Sequence, residues 1–262
     1  MSDLAFSVAG PGRVGSSLAA WMEALGARQV SAVGREGLME LSTAGQGLLL
    51  VAVPDPALAA VAAELARRPQ AAVVLHTSGS LDATVLAPLR AAGSAVGTLH
   101  PLKAFPAPLP DPEQARGVFF AVDGDPSARD LAFRLAASWD ASAAEVPPEA
   151  RALYHFAATL AAGGVVTLLA AAEELAERLG LPEAVTRGYL ELCRGAVAAA
   201  VDAHAAGKPL RDALTGPVAR GDQETVDRHL EVLREMAPEK VSLTLALSEE
   251  TVRQRDRRSG RT

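Results

Sequence analysis

The chain reads as an α/β protein, with a doubly wound parallel sheet over residues 1–147 followed by an all-helical domain over 148–262. Three observations predict this. Short apolar runs alternate with helical periodicities through the first half. Gly10, Gly12 and Gly15 sit where the first strand passes into the first helix. After Pro147-Pro148 no convincing strand occurs, and the pattern becomes helical throughout.

The elements follow in order. Residues 4–9 read as a strand, 13–25 as an amphipathic helix and 29–33 as a second strand. The run LLLVAV, 48–53, has the continuous apolar character of a strand buried on both faces. Residues 56–67 read as a helix, with Pro56 suited to its first turn. Strands at 71–76 and 95–99 flank a helix near 81–91. A proline-rich loop, 101–112, precedes a strand at 117–122 and a helix at 126–138. Strands alternating with helices predict parallel pairing. Beyond 147, one long helix is expected over 149–179, ended by Gly180 and Pro182. Three more follow at 182–206, 222–236 and 239–253.

Composition narrows the function. The 262 residues are 49% hydrophobic and 21% charged, enough for a large core or two modest ones. The net charge of -6 argues against nucleic acid as the main partner. The single cysteine, Cys193, excludes an internal disulfide framework and a multi-cysteine zinc site, and no metal site is expected. No unbroken apolar run reaches the about 18–20 residues of a membrane span. The N-terminus lacks the basic region and cleavage site of a signal peptide. The expectation is a cytoplasmic protein with no membrane partner. The cluster RQRDRR, 253–258, reads as a solvated tail.

The segment VAGPGRVGSSLA carries the most information. In G-x-G-x-x-G, Gly10 allows a tight turn, Gly12 lets the backbone approach a pyrophosphate, and Gly15 permits close packing of helix on strand. The helix N-terminus then offers N–H groups to phosphates. Pro11, Arg13 and Val14 complete the turn, which in this strand-turn-helix setting predicts a Rossmann-type dinucleotide site. An NAD site has an acid after the second strand, whereas this chain reads Val33-Gly34-Arg35-Glu36. Arg35 suits a 2′-phosphate and favours NADP; a shift of one or two residues would put Glu36 there instead.

Ligands of such sheets lie beyond the carboxyl ends of the strands. Val53-Pro54-Asp55, His76-Thr77-Ser78-Gly79-Ser80 and Leu99-His100-Pro101-Leu102-Lys103 end there. Val53, Pro54, Asp55 and Ser78 are candidate cofactor contacts, and Ser78 a substrate contact as well, though Asp55 reads first as a helix N-cap and Ser78 and Ser80 equally as caps. His100 and Lys103, the latter one of only three lysines, are candidates for proton transfer. Tyr154-His155 lies one turn into the long helix, and His155 reads equally as packing or catalysis. In Thr215-Gly216-Pro217-Val218-Ala219-Arg220-Gly221-Asp222, Asp222 reads as an N-cap near the substrate, and Arg220 as a contact for an anionic group. His229 follows on the next helix.

The succession GPGRVG, VPD, HTSGSL, LHPLKAF, YHFAATLAAG and TGPVARGD…HL resembles bacterial Rossmann-like oxidoreductases that carry the helical domain of unknown function 2520. These are relatives of 6-phosphogluconate dehydrogenase, pyrroline-5-carboxylate reductase and F420-dependent NADP reductase. The resemblance covers nearly the whole chain. It implies an NADP-binding first domain, a 6-phosphogluconate-dehydrogenase-like helical second domain and a homodimer built on the latter. Where the family carries Ser-Asn on the long helix, this chain has Ala162-Gly163. Lys103 or a histidine must then supply the proton, or the protein binds NADP without brisk catalysis. The expected function is NADPH-dependent reduction of a small anionic carbonyl or imine compound at an interdomain cleft. The alternatives are a 2-oxo acid reductase of the ketopantoate type and a non-catalytic NADP-binding regulatory protein.

Overall fold

The computed structural model describes residues 1–41 and 43–258. The chain divides into two compact units, Met1–Ala162 and a second from Gly163 onward. The first unit takes in the opening turns of the helix that follows Pro147-Pro148, fifteen residues past the 147 boundary.

The first unit holds a seven-stranded sheet in the order β2-β1-β3-β4-β5-β6-β7. The strands are β1 (Ala5–Ala9), β2 (Arg28–Val33), β3 (Leu48–Val51), β4 (Val73–His76), β5 (Ala95–Pro101), β6 (Phe119–Gly124) and β7 (Ser142–Glu145). Its helices are α1 (Arg13–Ala24), α2 (Asp55–Leu65), α3 (Ala87–Ala91), α4 (Pro126–Ser138) and α5 (Arg151–Thr159). The strand order turns back between β1 and β3, placing a crevice beyond the carboxyl ends of those two strands.

The apolar run at β3 behaves as its sequence demands. Leu48 and Leu50 enter one core with Phe6, Trp21 and Phe120. Leu49 and Val51 enter the other, with Leu58, Leu65 and Val96. Alternate side chains of a strand face opposite sides, so a strand between two helical layers must be apolar at every position. At about 1.5–3 kcal/mol for each fully buried leucine, this strand anchors both faces.

Three expectations are corrected. Pairing is not parallel throughout, because β5 and β6 run antiparallel, with Pro101 opposite Phe120. The connection between them holds one 3-10 turn, Pro112–Ala115, and no helix to carry the chain back across the sheet, so it reverses. The expected helix 81–91 is a 3-10 turn, Ala83–Leu86, capped by Asp82, and then the short α3. The arginine cluster at 253–258 is no tail, since α10 (Val241–Arg258) is helical through it and Arg253 pairs with Glu250. Strand β7 is an addition; its residues SAAE are small or polar and mostly exposed at a sheet edge.

The second unit contains α6 (Val165–Arg178), α7 (Glu183–Ala205), α8 (Pro217–Arg220), α9 (Gln223–Met236) and α10. A π-helical turn, Leu160–Gly164, precedes α6. Arg178 bridges Glu174 and Glu239, tying α6 to the segment ahead of α10. Among the described residues its buried apolar side chains are Ala176, Leu230 and Ala237, while α7 has none. One reading of hydropathy also changes. Helix Pro148–Arg178 is long and apolar enough to cross a membrane by length and composition, and none of its most apolar window is buried. Thr159, Gly163, Gly164 and Thr167 break an unbroken apolar run, which is why a run count passes it over, but they lower its hydropathy little.

Candidate functional site

The glycine turn is built as its spacing requires. Gly10 has a φ of +93°, and a Cβ there would lie 2.6 Å from the carbonyl oxygen of Ala52. A Cβ on Gly15 would run into the carbonyl oxygen of Gly10, so only glycine lets α1 start this close to β1. Gly12 faces open space, with nothing within 4 Å of a Cβ. No side chain caps α1, and its first turn carries no acid. Its leading N–H groups and the positive end of its dipole are therefore available to an anion.

Beside this turn lies a cavity of about 260 Å³ lined by Gly12, Gly34, Arg35, Leu38, Val53 and Pro54, among others. Gly10 donates its N–H to the Val33 carbonyl at 2.9 Å, which ties the turn to the end of β2. The structure thus gathers Gly10, Gly12, Gly34, Arg35, Val53 and Pro54 around one cavity. Arg35, exposed, contributes the cation; Glu36 is not among the lining residues. Pro11 is exposed and accepts from Ser16 Oγ at 2.9 Å, while Val14 packs inward against the core. Arg13 reaches back to the Pro106 carbonyl at 3.4 Å.

A second group of side chains collects at the ends of β4 and β5. His76 is fully buried, with Nε2 3.1 Å from the Asp82 carbonyl and Nδ1 accepting the Ser78 N–H at 3.2 Å. The carbonyl requires a proton on Nε2 and the amide a lone pair on Nδ1, so the ring is neutral. Burial pulls its pKa down to about 4. Ser78 Oγ accepts from the N–H groups of Ser80 (3.3 Å) and Leu81 (3.1 Å) and closes the turn after β4. Asp55 is not an N-cap either. Helix α2 begins at Asp55 itself without a side-chain cap, and the carboxylate accepts from Ser80 Oγ at 2.6 Å.

Gly79 is the pivot of this cluster. A Cβ there would collide with His155 Nδ1 and lie 2.7 Å from His100 Nε2, so both imidazoles close on bare backbone. His100 Nδ1 lies 3.0 Å from the Tyr154 hydroxyl, their rings edge to face at 5.6 Å. Burial, with the His155 and Arg151 charges adding to it, lowers the His100 pKa to about 4. Arg151 is fully buried. Its Nη2 donates to Thr98 Oγ1, while Nε and Nη1 have no hydrogen-bond partner. Burial depresses the ionisation of its guanidinium, against the pull of Asp123, Tyr154 and Asp82.

Of the proton-transfer candidates, His100 and His155 are thus brought together, their ring centroids 5.6 Å apart. Lys103 is half-buried on the loop after β5, its backbone N–H on the Pro101 carbonyl. In the second unit, Asp222 caps α9 by accepting from the Thr225 N–H at 3.2 Å; Arg220 ends α8, exposed, and His229 is exposed on α9. Sequence reasoning passed over Arg151 and gave no role to Tyr154 or Gly79, although both lie in segments it singled out. A signal existed for two of them: 151, 154 and 155 stand at helical i, i+3 and i+4 and share one face. Among the described residues no cluster of His, Cys, Asp or Glu is arranged to hold a metal.

Chemically, the unit can hold a phosphate-bearing ligand at the glycine turn and present a phenol backed by a neutral imidazole at the same sheet edge. Known proteins were compared with this arrangement in view. A solved structure from Bacteroides fragilis, provisionally named an NADP oxidoreductase, is 20% identical with a TM-score of 0.77, covering 96% of this chain and 99% of that one. The pyrroline carboxylate reductase of Plasmodium falciparum, solved with NADP bound, is 12% identical with a TM-score of 0.62 over 96% and 99%. A Streptomyces aurantiacus imine reductase is 16% identical with a TM-score of 0.60 over 95% and 93%. At such identities the likeness establishes the fold. The comparison with curated proteins finds no match. Residues 31–101 match the model of a Rossmann-like domain. Residues 118–251, half of the chain, match that of the domain of unknown function DUF2520, and the chain belongs to that family.

Proposed function

We propose that the chain is an NADP-dependent oxidoreductase that reduces a small, anionic carbonyl or imine compound. One observation carries this reading. The uncapped glycine turn, the Arg35 cavity and the His100–Tyr154 pair all lie beyond the carboxyl ends of β1 to β5 of one sheet. The names of the structural relatives support the same class of chemistry. Gly12 and the first N–H groups of α1 would hold the pyrophosphate, Arg35 the 2′-phosphate, and Gly34, Val53 and Pro54 the adenosine half. NADPH, when bound, supplies the hydride. The protein's own task is then to orient the acceptor carbon, exclude water and deliver a proton to the oxygen or nitrogen.

The test is NADPH and NADH oxidation by the purified protein with a panel of 2-oxo acids and cyclic imines, alongside cofactor titration. Turnover of a carboxylate-bearing member with NADPH is the expected result. Tight NADPH binding with no turnover would replace the reductase by a nucleotide-binding regulatory protein.

We propose also that the protein works as a homodimer through its second unit. Val166, Leu192 and Val201 there are 60–72% exposed, and few apolar side chains of the unit are buried. A unit of this size needs a larger core than that.

A further inference from the structure

Reduction of a carbonyl or imine leaves a basic oxygen or nitrogen, and two of the imidazoles at this site, those of His100 and His76, are poor donors. His100 is neutral at pH 7, because burial and the cations around it hold its pKa near 4. His76 is locked at both ring nitrogens and fully buried. Tyr154 differs from both. It is only half-buried, its hydroxyl lies 3.0 Å from His100 Nδ1, and it stands three residues along α5 from the buried Arg151.

Resting on the reductase reading above, we infer that Tyr154 is the proton donor and that His100, in its Nδ1–H tautomer, is the residue that positions it. In that tautomer Nδ1–H donates to the phenolic oxygen, which leaves the O–H free to point at the substrate. As hydride reaches the acceptor carbon, the π electrons of its double bond pass to the oxygen or nitrogen, which takes the phenol's proton. The phenolate left behind is held by His100 Nδ1–H and by the field of Arg151, whose Nε and Nη1 are not neutralised by any hydrogen-bonded carboxylate. It regains its proton from solvent when product leaves. The bare Gly79 lets His100 and His155 close in on this geometry, since any side chain there would strike both rings.

The charged and titratable groups around the pair are Arg151 and His155 on α5, His76 on β4, Asp55 at the start of α2, Asp82, and Asp123 on β6. Burial raises the Tyr154 pKa, and Arg151 opposes that rise. The phenol therefore stays protonated through neutral pH, and turnover should hold from about pH 6 to 9 and fall only beyond. A histidine acid would instead lose activity from below pH 7 upward.

The experiment combines kinetics with a measurement that needs no turnover. Tyr154→Phe should lower kcat by about 10²–10⁴-fold with NADPH affinity unchanged. His100→Ala should lower it less and shift the alkaline limb upward in pH, since the phenolate loses its donor. Nitrogen-15 spectra of labelled protein should show His100 as the Nδ1–H tautomer, altered in Tyr154→Phe. Full turnover by Tyr154→Phe, a histidine-like decline between pH 6 and 8, or an Nε2–H tautomer at His100 would each overturn the proposal while leaving the reductase standing. A wild type that reduces nothing would instead remove the reductase reading itself, and the donor with it.

Discussion

Arg35 lines a cavity whose other walls are glycine and apolar side chains, so on the reading proposed above it is the cation that a 2′-phosphate would meet there. Charge-assisted hydrogen bonds of this kind contribute about 1.5–3 kcal/mol. Arg35→Ala should therefore weaken NADPH by roughly 10- to 100-fold and NADH by less than about threefold, as read by cofactor fluorescence. Equal losses for the two cofactors would show that the guanidinium is spent elsewhere. His76 supports a prediction about stability. Its ordinary pKa of 6.5 falls to about 4 in the folded chain. Between those values the unfolded state binds the extra proton, so the stabilisation is complete above pH 6.5 and is lost as pH falls through 4. The loss amounts to about 3 kcal/mol for this one ring. His100, lowered in the same way, adds a second contribution of the same sign. In urea melts between pH 7 and 4, His76→Gln should be less stable at pH 7 but show a clearly shallower slope. A slope as steep as the wild type's would place the acid sensitivity elsewhere.

At the scale of elements, α1 does more than open toward a ligand. Ser17, buried, donates to the Arg13 carbonyl at 2.6 Å and accepts the Leu109 N–H at 2.8 Å; Trp21 Nε1 donates to the Leu109 carbonyl at 2.8 Å. Helix α1 thus holds both backbone groups of Leu109 and fixes the proline-rich loop that also carries Lys103. Ser17→Ala leaves that N–H without its partner, at a cost of about 1–3 kcal/mol. We expect a lower melting temperature and faster amide exchange at Leu109 than in the wild type; unchanged exchange would mean that the loop is held otherwise. Such long-range ties were illegible in the sequence, because nothing in the periodicity of α1 names a loop some ninety residues away. What could be read locally was read well. The LLLV strand, the three glycines and the stop at Gly180 each follow from one local physical requirement. The reversal at β6 was missed because periodicity reports an element and not its direction, and β7 because small polar residues at an edge carry no apolar signal. The site shows the same division. His100 and His155 stood out by residue type, whereas Gly79 matters only through the two rings that close upon it.

For the whole molecule, the distribution of apolar surface is the decisive quantity. Leu192 and Val201 lie nine residues apart on α7, about 180° around a helix turning 100° per residue, and both are more than half exposed. Helix α7 therefore shows apolar side chains on opposite sides, with no buried residue along its 23 positions. A helix that is apolar all round is normally buried. Beside it, α6 and α7 frame an almost wholly apolar groove of about 450 Å³, lined by Leu168, Leu169, Leu192 and Val197 among others. A second copy of the same surface would cover both features at once, as a two-fold interface does. Stable interfaces of this kind bury about 1,200–2,000 Å² or more. Leu192→Glu changes a side chain that is 72% exposed in one chain, so it should cost a lone chain little. In a dimer it would bury a carboxylate without a partner, at several kcal/mol. Light scattering at micromolar concentration should accordingly give twice the mass of one chain for the wild type and a smaller species for Leu192→Glu. The apolar helix Pro148–Arg178 admits a different cover, a lipid surface, and co-sedimentation with phosphatidylcholine vesicles separates the two. A monomer that pellets with vesicles would end the dimer proposal, whereas a dimer that stays in the supernatant is what these exposed faces lead us to expect.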